Sequence, residues 1–308
     1  MPSRVFKSSG DMVADRRFDY GRDLQLRGDL AAAADLFTQA TEQAPGFVSA
    51  WFALGDVSER RGDRDGAIGA FRRAKAADSC DFHGAGLRLM RLNGDPLAAM
   101  PPGYVTALYD QYAPKFEASL VGDLGYRGPD LLFKAVLATC VAQGRPASFH
   151  CAIDLGCGTG LAARAFAALT DEIIGIDLSP GMIQQARATG LYHELEVADA
   201  AAGLTHRPDV SVDLILAADM MIYLHDLAPL IGEAGRVLKP GGVFAFTAET
   251  HDGAGVILGA GLRYAQSEAH FRELLSDAGL VVEHVDHGSI RNEREMPVPS
   301  LVMVASRP

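Results

Sequence analysis

Apolar positions change their spacing along the chain. Through the first part they recur every three to four residues in alanine-rich stretches, the period of amphipathic helices, and the pattern repeats after 34 residues across 17–79. Gly21 aligns with Gly55, Gly28 and Asp29 with Gly62 and Asp63, Ala33 with Ala67, Phe37 with Phe71, and Ala40 with Ala74. Farther on, short apolar runs alternate with helical patterns. FHCAIDL, EIIGIDL, ELEVAD, VDLILAAD and GGVFAFTAE, which begin at Phe149, Glu172, Glu194, Val212 and Gly241, are rich in branched and aromatic residues, as buried strands are. Between and after them come helices: Leu227, Leu230, Ile231, Ala234, Val237 and Leu238 share one face, stopped by Pro240 and Gly241. A further helix starts at Ser267, sets Phe271, Leu274, Leu275 and Ala278 at helical spacing, and ends at Gly279. Strands alternating with helices predict an α/β fold on a mostly parallel sheet. The last run, SLVMVASR from Ser300, has no helix after it, so it is expected to insert antiparallel beside LVVEHVDH from Leu280.

Thirty-four residues is the length of a tetratricopeptide unit. In the second copy Trp51, Leu54 and Gly55 are followed by Ala67 and Phe71, which resembles the helix A and helix B signature of that family. The resemblance implies pairs of antiparallel helices, brought close by small alanines and plugged by Phe37 and Phe71. Two positions depart from the pattern, with Arg17 where the tryptophan would stand and Ser79 where the first copy has Pro45. A third unit starts near His83 and stops at Asn93, Gly94 and Asp95, so the array holds two and a half repeats. Each unit buries its apolar face only against a neighbour, so an array this short needs a further surface: the rest of the chain, a second copy in a homo-oligomer, or a protein partner. We therefore expect a helical repeat module over residues 1–92, a proline- and glycine-rich linker over 93–103, and a second domain over 104–308.

The chemistry in that second domain starts at the first strand, which runs straight into Gly156, Cys157, Gly158, Thr159 and Gly160 and then into an alanine-rich helix. A strand, glycine loop and helix present backbone donors to a ligand, and glycines let the ligand approach where a Cβ would collide. The spacing is GxGxG and not the GxGxxG of a dinucleotide fold, so a pyrophosphate is not the natural guest. The second strand ends in Asp177, 19 residues after Gly158, where a carboxylate can accept from both ribose hydroxyls; a plain loop acid is the alternative. Ser179 and Pro180 read as the cap and first position of the next helix.

DLGCGTG, from Asp154 to Gly160, resembles the first motif of class I S-adenosylmethionine-dependent methyltransferases, and the resemblance extends over about Tyr104 to Pro308. It implies a Rossmann-like sheet, mostly parallel with the last strand antiparallel, preceded here by the all-α tetratricopeptide-repeat module. It also implies that the cofactor is S-adenosyl-L-methionine. Gly156, Gly158 and Gly160 would hold its methionine portion, with Cys157 contributing backbone and Asp154 orienting the loop. Asp177 would take the ribose, and Leu178 and Met182 would supply apolar contacts to adenine and ribose. Asp199 matches the family acid that accepts from the adenine amino group, with Ala200 adding a backbone contact; a solvent-facing turn acid is the alternative, since Asp at a strand end is common. VDLILAADMMIYL and RVLKPGG resemble the family's fourth strand and the turn into its fifth. Ala217 and Ala218 would then line the cofactor, and the segment from Asp219 to His225 would face the substrate.

Upstream, YDQYAPKFEASL resembles the helix that many small-molecule members fold over the cofactor, giving lid helices over 104–148. Tyr109, Tyr112 and Phe116 share one helical face, which a plain core stripe explains as well. Arg127 is a candidate fork for the cofactor carboxylate, with an ordinary surface arginine as the alternative. His225 and His251 follow the fourth and fifth strands, where substrates sit in open α/β sheets, but exposed loop histidines usually have no such role. His284 and His287 point to opposite faces of a strand, which argues against a metal.

Charge narrows the acceptor. The net charge is -11, and residues 1–100 balance 14 basic against 14 acidic groups, leaving 14 against 25 in 101–308. A domain acting on nucleic acid needs a basic stripe to replace condensed counterions, so nucleic acid is not the expected substrate. Cys80, Cys140, Cys151 and Cys157 have no metal spacing and read as reduced thiols. The start of the chain lacks an apolar signal core and no apolar run approaches the roughly 18 residues of a membrane span, so a cytoplasmic location is expected. Methyl transfer from a sulfonium is an in-line displacement that alignment and water exclusion largely catalyse, which is why no catalytic residue is legible. A small-molecule acceptor is the first expectation. A protein recruited by the repeats, or cofactor binding without transfer, are the others.

Overall fold

In the computed structural model, residues 7–113, 116–117, 124–259, 261–293 and 296–308 are described, the side chain of Tyr112 excepted. The chain divides into two compact units, Met1–Leu108 and Tyr109–Pro308.

In the first unit the repeat becomes helices α1 (Met12–Arg27), α2 (Leu30–Gln43), α3 (Val48–Arg60), α4 (Arg64–Ala77) and α5 (Ala85–Asn93). Asp29 and Asp63, one period apart, are the N-caps of α2 and α4, each accepting from a backbone N–H of the first turn. Gly28 closes α1 in the left-handed region at φ 87°, where glycine carries no Cβ penalty. Gly21 and Gly55 face the rings of Phe37 and Phe71, which are fully buried. Helix α6 (Pro102–Tyr112) follows the irregular stretch after α5 and runs across the boundary between the units.

The second unit is built on a seven-stranded sheet. Its strands are β1 (Phe149–Leu155), β2 (Thr170–Asp177), β3 (Glu194–Val197), β4 (Val212–Ala217), β5 (Leu238–Glu249), β8 (Val281–Glu293) and β9 (Met296–Ser306). β6 (Val256–Leu258) and β7 (Tyr264–Gln266) form a separate antiparallel ribbon. The order is β3-β2-β1-β4-β5-β9-β8, with β1 to β5 parallel and β9 inserted antiparallel between β5 and β8. This is the expected Rossmann-like sheet with an antiparallel last strand.

Strand side chains alternate between two faces, and both faces are covered. On one, Ile153, Leu155, Ile215, Phe244, Phe246 and Met303 pack with α10 (Ala200–Thr205), α11 (Ala228–Val237) and α12 (Glu268–Asp277). On the other, Ala152, Leu214, Leu216, Ala245 and Val304 pack with α7 (Gly128–Ala142) and α8 (Leu161–Phe166). Within the segment 104–148 read as lid helices, α7 buries Leu132, Ala135, Val136 and Cys140 against the sheet. Its apolar stripe is core-forming, and periodicity alone does not tell such a stripe from one that covers a ligand.

Candidate functional site at the C-terminal edge of the sheet

The loop after β1 turns because three of its residues lie in the left-handed region: Gly156 at φ 63°, Gly158 at 54° and Gly160 at 93°. Among the described residues, a Cβ on Gly158 would meet nothing nearer than Phe116 at 3.8 Å, which leaves room beside that glycine. On Gly156 it would strike the Met220 Cβ at 2.6 Å, which places the segment after β4 directly against the loop. The backbone N–H groups of Gly156 and Cys157 donate to the Ile176 carbonyl, tying the loop to β2. Cys157 is buried, and burial holds its thiol well above the usual range.

Asp177 stands at the end of β2 beside that loop. Its Oδ2 accepts from the Gly158 N–H at 2.9 Å and its Oδ1 from the Ser179 N–H at 2.8 Å. A carboxylate has about four lone-pair sites, so these bonds leave it capacity to accept from a ligand's hydroxyl. Burial raises its affinity for a proton, while the backbone N–H groups of Ser179, Gly158 and Leu178 oppose that shift. Ser179 caps α9 (Pro180–Ala188) by accepting from the Met182 N–H at 3.0 Å, and the Met182 side chain is buried. Leu178, half-buried, lies between the two.

Asp154 is 1 % exposed. Its Oδ2 accepts from the Tyr192 hydroxyl at 2.7 Å, whereas its Oδ1 has no hydrogen-bond partner among the described residues. Burial pushes its carboxyl up to about 7. The room beside Gly158 among the described residues and the remaining acceptor capacity of Asp177 at one strand edge fit a ligand that brings hydroxyl donors, as S-adenosylmethionine does.

The remaining candidates are placed as follows. Asp199 is exposed and is the N-cap of α10, its side chain accepting from the N–H groups of Ala201 and Ala202; Ala200 is buried. Ala217 ends β4 and is fully buried in the core. The Tyr109 hydroxyl lies 2.5 Å from that of Tyr223, and the Tyr109 ring packs edge-on against Phe116, the residue over Gly158. Tyr112 ends α6, and its side chain lies outside the described residues. Arg127 is exposed and its guanidinium donates to the Ser289 carbonyl at 3.2 Å. The His251 ring accepts from the Gly253 N–H and donates to the Gly255 carbonyl, so neither nitrogen is free to act as a base.

The sequence does not disclose the pairing of several residues around the site. Asp110 on α6 accepts from the Ser179 hydroxyl at 2.5 Å and the Gly181 N–H at 2.9 Å, pinning α6 to the start of α9. Asp219, just past β4, adopts φ 60° and donates its N–H to Thr247 on β5. Its carboxylate pairs with Arg291 of β8, which also pairs with Glu249 of β5. Arg263 bridges Glu249 and Glu293. Arg291 is 5 % exposed, and although burial opposes its charge, Asp219 and Glu249 hold it firmly protonated. The partners are tens of residues apart, and only the folded sheet brings them together.

Residues 153–246 match the sequence pattern of a methyltransferase domain, and residues 18–80 that of a tetratricopeptide repeat. Human methyltransferase-like protein 27 is 30% identical over 175 residues, covering 56% of this chain and 66% of that protein. Trans-aconitate 2-methyltransferase of Methylobacterium radiotolerans is 42% identical over 96 residues, covering 30% of this chain and 36% of the enzyme. The chain thus spans less than two thirds of the length of these relatives. Among solved structures, the [4+2]-cyclase SpnF superposes with a TM-score of 0.53 at 21% identity, covering 69% of this chain and 98% of that one, a likeness of fold. With the glycine loop, the Asp177 strand end and the sheet order all in place, this chain belongs to the S-adenosylmethionine-dependent methyltransferase family and carries tetratricopeptide repeats ahead of its methyltransferase domain.

Proposed function

We propose that the protein transfers the methyl group of S-adenosylmethionine to a small-molecule acceptor. The observation that carries this reading is the glycine loop at the end of β1, with Asp177 bonded to its Gly158 N–H at 2.9 Å. In this reading Gly156, Cys157, Gly158 and Gly160 hold the methionine portion through backbone and Asp154 orients the loop. Asp177 takes the ribose, Leu178, Met182 and Ala217 supply apolar walls, and Asp199 with Ala200 reads the adenine. Tyr109 and Tyr112 stand on the helix over the cofactor, and Arg127 answers its carboxylate. When bound, S-adenosylmethionine supplies an activated methyl group on a sulfonium leaving group. The chain contributes alignment and the exclusion of water, and the Tyr109, Phe116 and Tyr223 rings beside the loop serve the second.

A second reading, a methyltransferase whose acceptor is a protein held by the repeats, is favoured by one observation, the tetratricopeptide pattern over residues 18–80. Calorimetry with S-adenosylhomocysteine and NAD tests the cofactor assignment. The intact protein is expected to bind S-adenosylhomocysteine and not NAD, and Asp177→Ala to weaken that binding at least roughly tenfold, since hydrogen bonds to a charged group contribute about 1.5–3 kcal/mol. Tight NAD binding without S-adenosylhomocysteine binding rejects the cofactor assignment. An unchanged dissociation constant for Asp177→Ala rejects the ribose role.

A further inference from the structure

Among the described residues, the network around Asp219 holds three carboxylates and two arginines. Asp219, Glu249 and Glu293 face Arg263 and Arg291, so the five side chains carry one net negative charge. One Asp219 oxygen takes Arg291, while its Oδ1 is shielded from solvent and has no hydrogen-bond partner among the described residues. An ionised oxygen left this way is costly unless a donor reaches it. The residue is held in place from three sides: its N–H by Thr247, its carboxylate by Arg291, and its neighbour Met220 by the close approach to Gly156. A non-glycine residue at φ 60° is a local strain that the surroundings maintain, and such residues gather at functional sites.

The position matters as much as the charge. β4 pairs with β1 in parallel, Leu216 opposite Asp154, so Asp219 lies past the same sheet edge as the glycine loop. In open α/β sheets ligands bind at that edge. Tyr109 and Tyr223 meet edge-on at 5.5 Å, and burial together with the charge of Asp219 holds both phenols above their usual range. Both arginines of the network already hold carboxylates of the chain itself, which leaves neither for an anionic acceptor.

We propose that Asp219 selects the methyl acceptor, its free Oδ1 accepting a hydrogen bond from a protonated amine beside the Tyr109–Tyr223 pair; this rests on the methyltransferase reading above. A carboxylate and aromatic rings together suit a cation. The amine gives up one proton to the same oxygen, which frees the nitrogen lone pair for methylation. Burial raises the proton affinity of Asp219, with Arg291 opposing, so the carboxylate is suited to receive that proton.

The test uses the full chain saturated with S-adenosylhomocysteine and titrated with three probes of one shape: benzylammonium, benzyl alcohol and benzoate. Benzylammonium is expected to bind at least roughly tenfold more tightly than either of the others. Asp219→Asn suits the left-handed backbone and keeps an oxygen for Arg291, but turns an amide donor toward the acceptor. It should lower benzylammonium affinity at least roughly tenfold and leave S-adenosylhomocysteine affinity unchanged. Equal or tighter binding of the alcohol or benzoate, no binding of benzylammonium, or indifference to Asp219→Asn each overturns the proposal while the methyltransferase reading stands. Failure of the intact chain to bind S-adenosylhomocysteine overturns both.

Discussion

Asp154 occupies a strand position whose face belongs to the core. Ala152, two residues earlier, packs among Leu132, Leu214 and Val304, and alternation sends Asp154 to the same side. The chain accepts a buried carboxyl there at the expense of its charge, and burial pushes it up to about 7. The folded group thus holds its proton more tightly than an unfolded aspartate. Its stabilising contribution is complete below the unfolded value, near 3.8, and is lost as pH rises through about 7. Asp154→Asn keeps an acceptor for the Tyr192 hydroxyl without this titration. Cofactor-free melting measured from about pH 5 to about pH 8 should therefore show the variant gaining on the wild type as pH rises. Parallel curves would show that the carboxyl ionises freely. At this scale the sequence discloses what is local: the glycines, Asp177 and the Ser179 cap sit within a short span, and their spacing is their geometry. Tyr192 against Asp154, Asp110 against Ser179 and Arg291 against Asp219 are 38, 69 and 72 residues apart, and nothing in the string pairs them.

Helix pairs in the repeat depend on glycine for close approach, and two glycines of the same unit make opposite predictions. On Gly55 a Cβ would come within 2.7 Å of the Phe71 ring, which is fully buried and has no room to turn aside. Gly55→Ala should destabilise the unit by about 1–3 kcal/mol, the range for overpacked cores. Gly69, in α4, is exposed and a Cβ there would meet nothing within 4 Å. Gly69→Ala should stabilise by about 0.5–1 kcal/mol through helix propensity. Denaturant melts followed by circular dichroism read both, and a Gly55→Ala as stable as the wild type would show that α3 and α4 can separate without penalty. Elements with strong periodicity were legible for the same reason that these glycines are: a repeated helix pair and a buried strand each impose a period that does not depend on distant contacts. The ribbon of β6 and β7 escaped because its strands are three residues each, too short to show alternation. The apolar stripe of helix α7 reads the same whether it covers a sheet or a ligand.

Each compact unit has its own core. The buried clusters of the first draw on residues between Ala14 and Leu92, and those of the second on residues between Tyr126 and Ala305. Every group proposed to touch the cofactor, from Tyr109 to Ala217, lies in the second unit. Charge separates them too, since the acidic surplus falls wholly beyond residue 100. A chain organised in this way lets the repeats be removed without touching the cofactor machinery. A fragment of residues 94–308 keeps α6 whole, with Tyr109 and with the Asp110 that holds Ser179 and Gly181. Its affinity for S-adenosylhomocysteine should stay within about tenfold of the intact protein, a difference below about 1.4 kcal/mol. Methylation of the natural acceptor should fall much further. Two and a half repeats cannot bury both of their ends, so the module needs a partner surface, and shaping access, pairing subunits or recruiting the acceptor are the roles such a surface offers. Calorimetry, light scattering and product formation on the two forms distinguish the outcomes. A fragment that loses S-adenosylhomocysteine shows that the repeats help to fold the second unit. One that stays soluble, keeps its oligomeric state and methylates at the full rate shows that the repeats serve something outside catalysis.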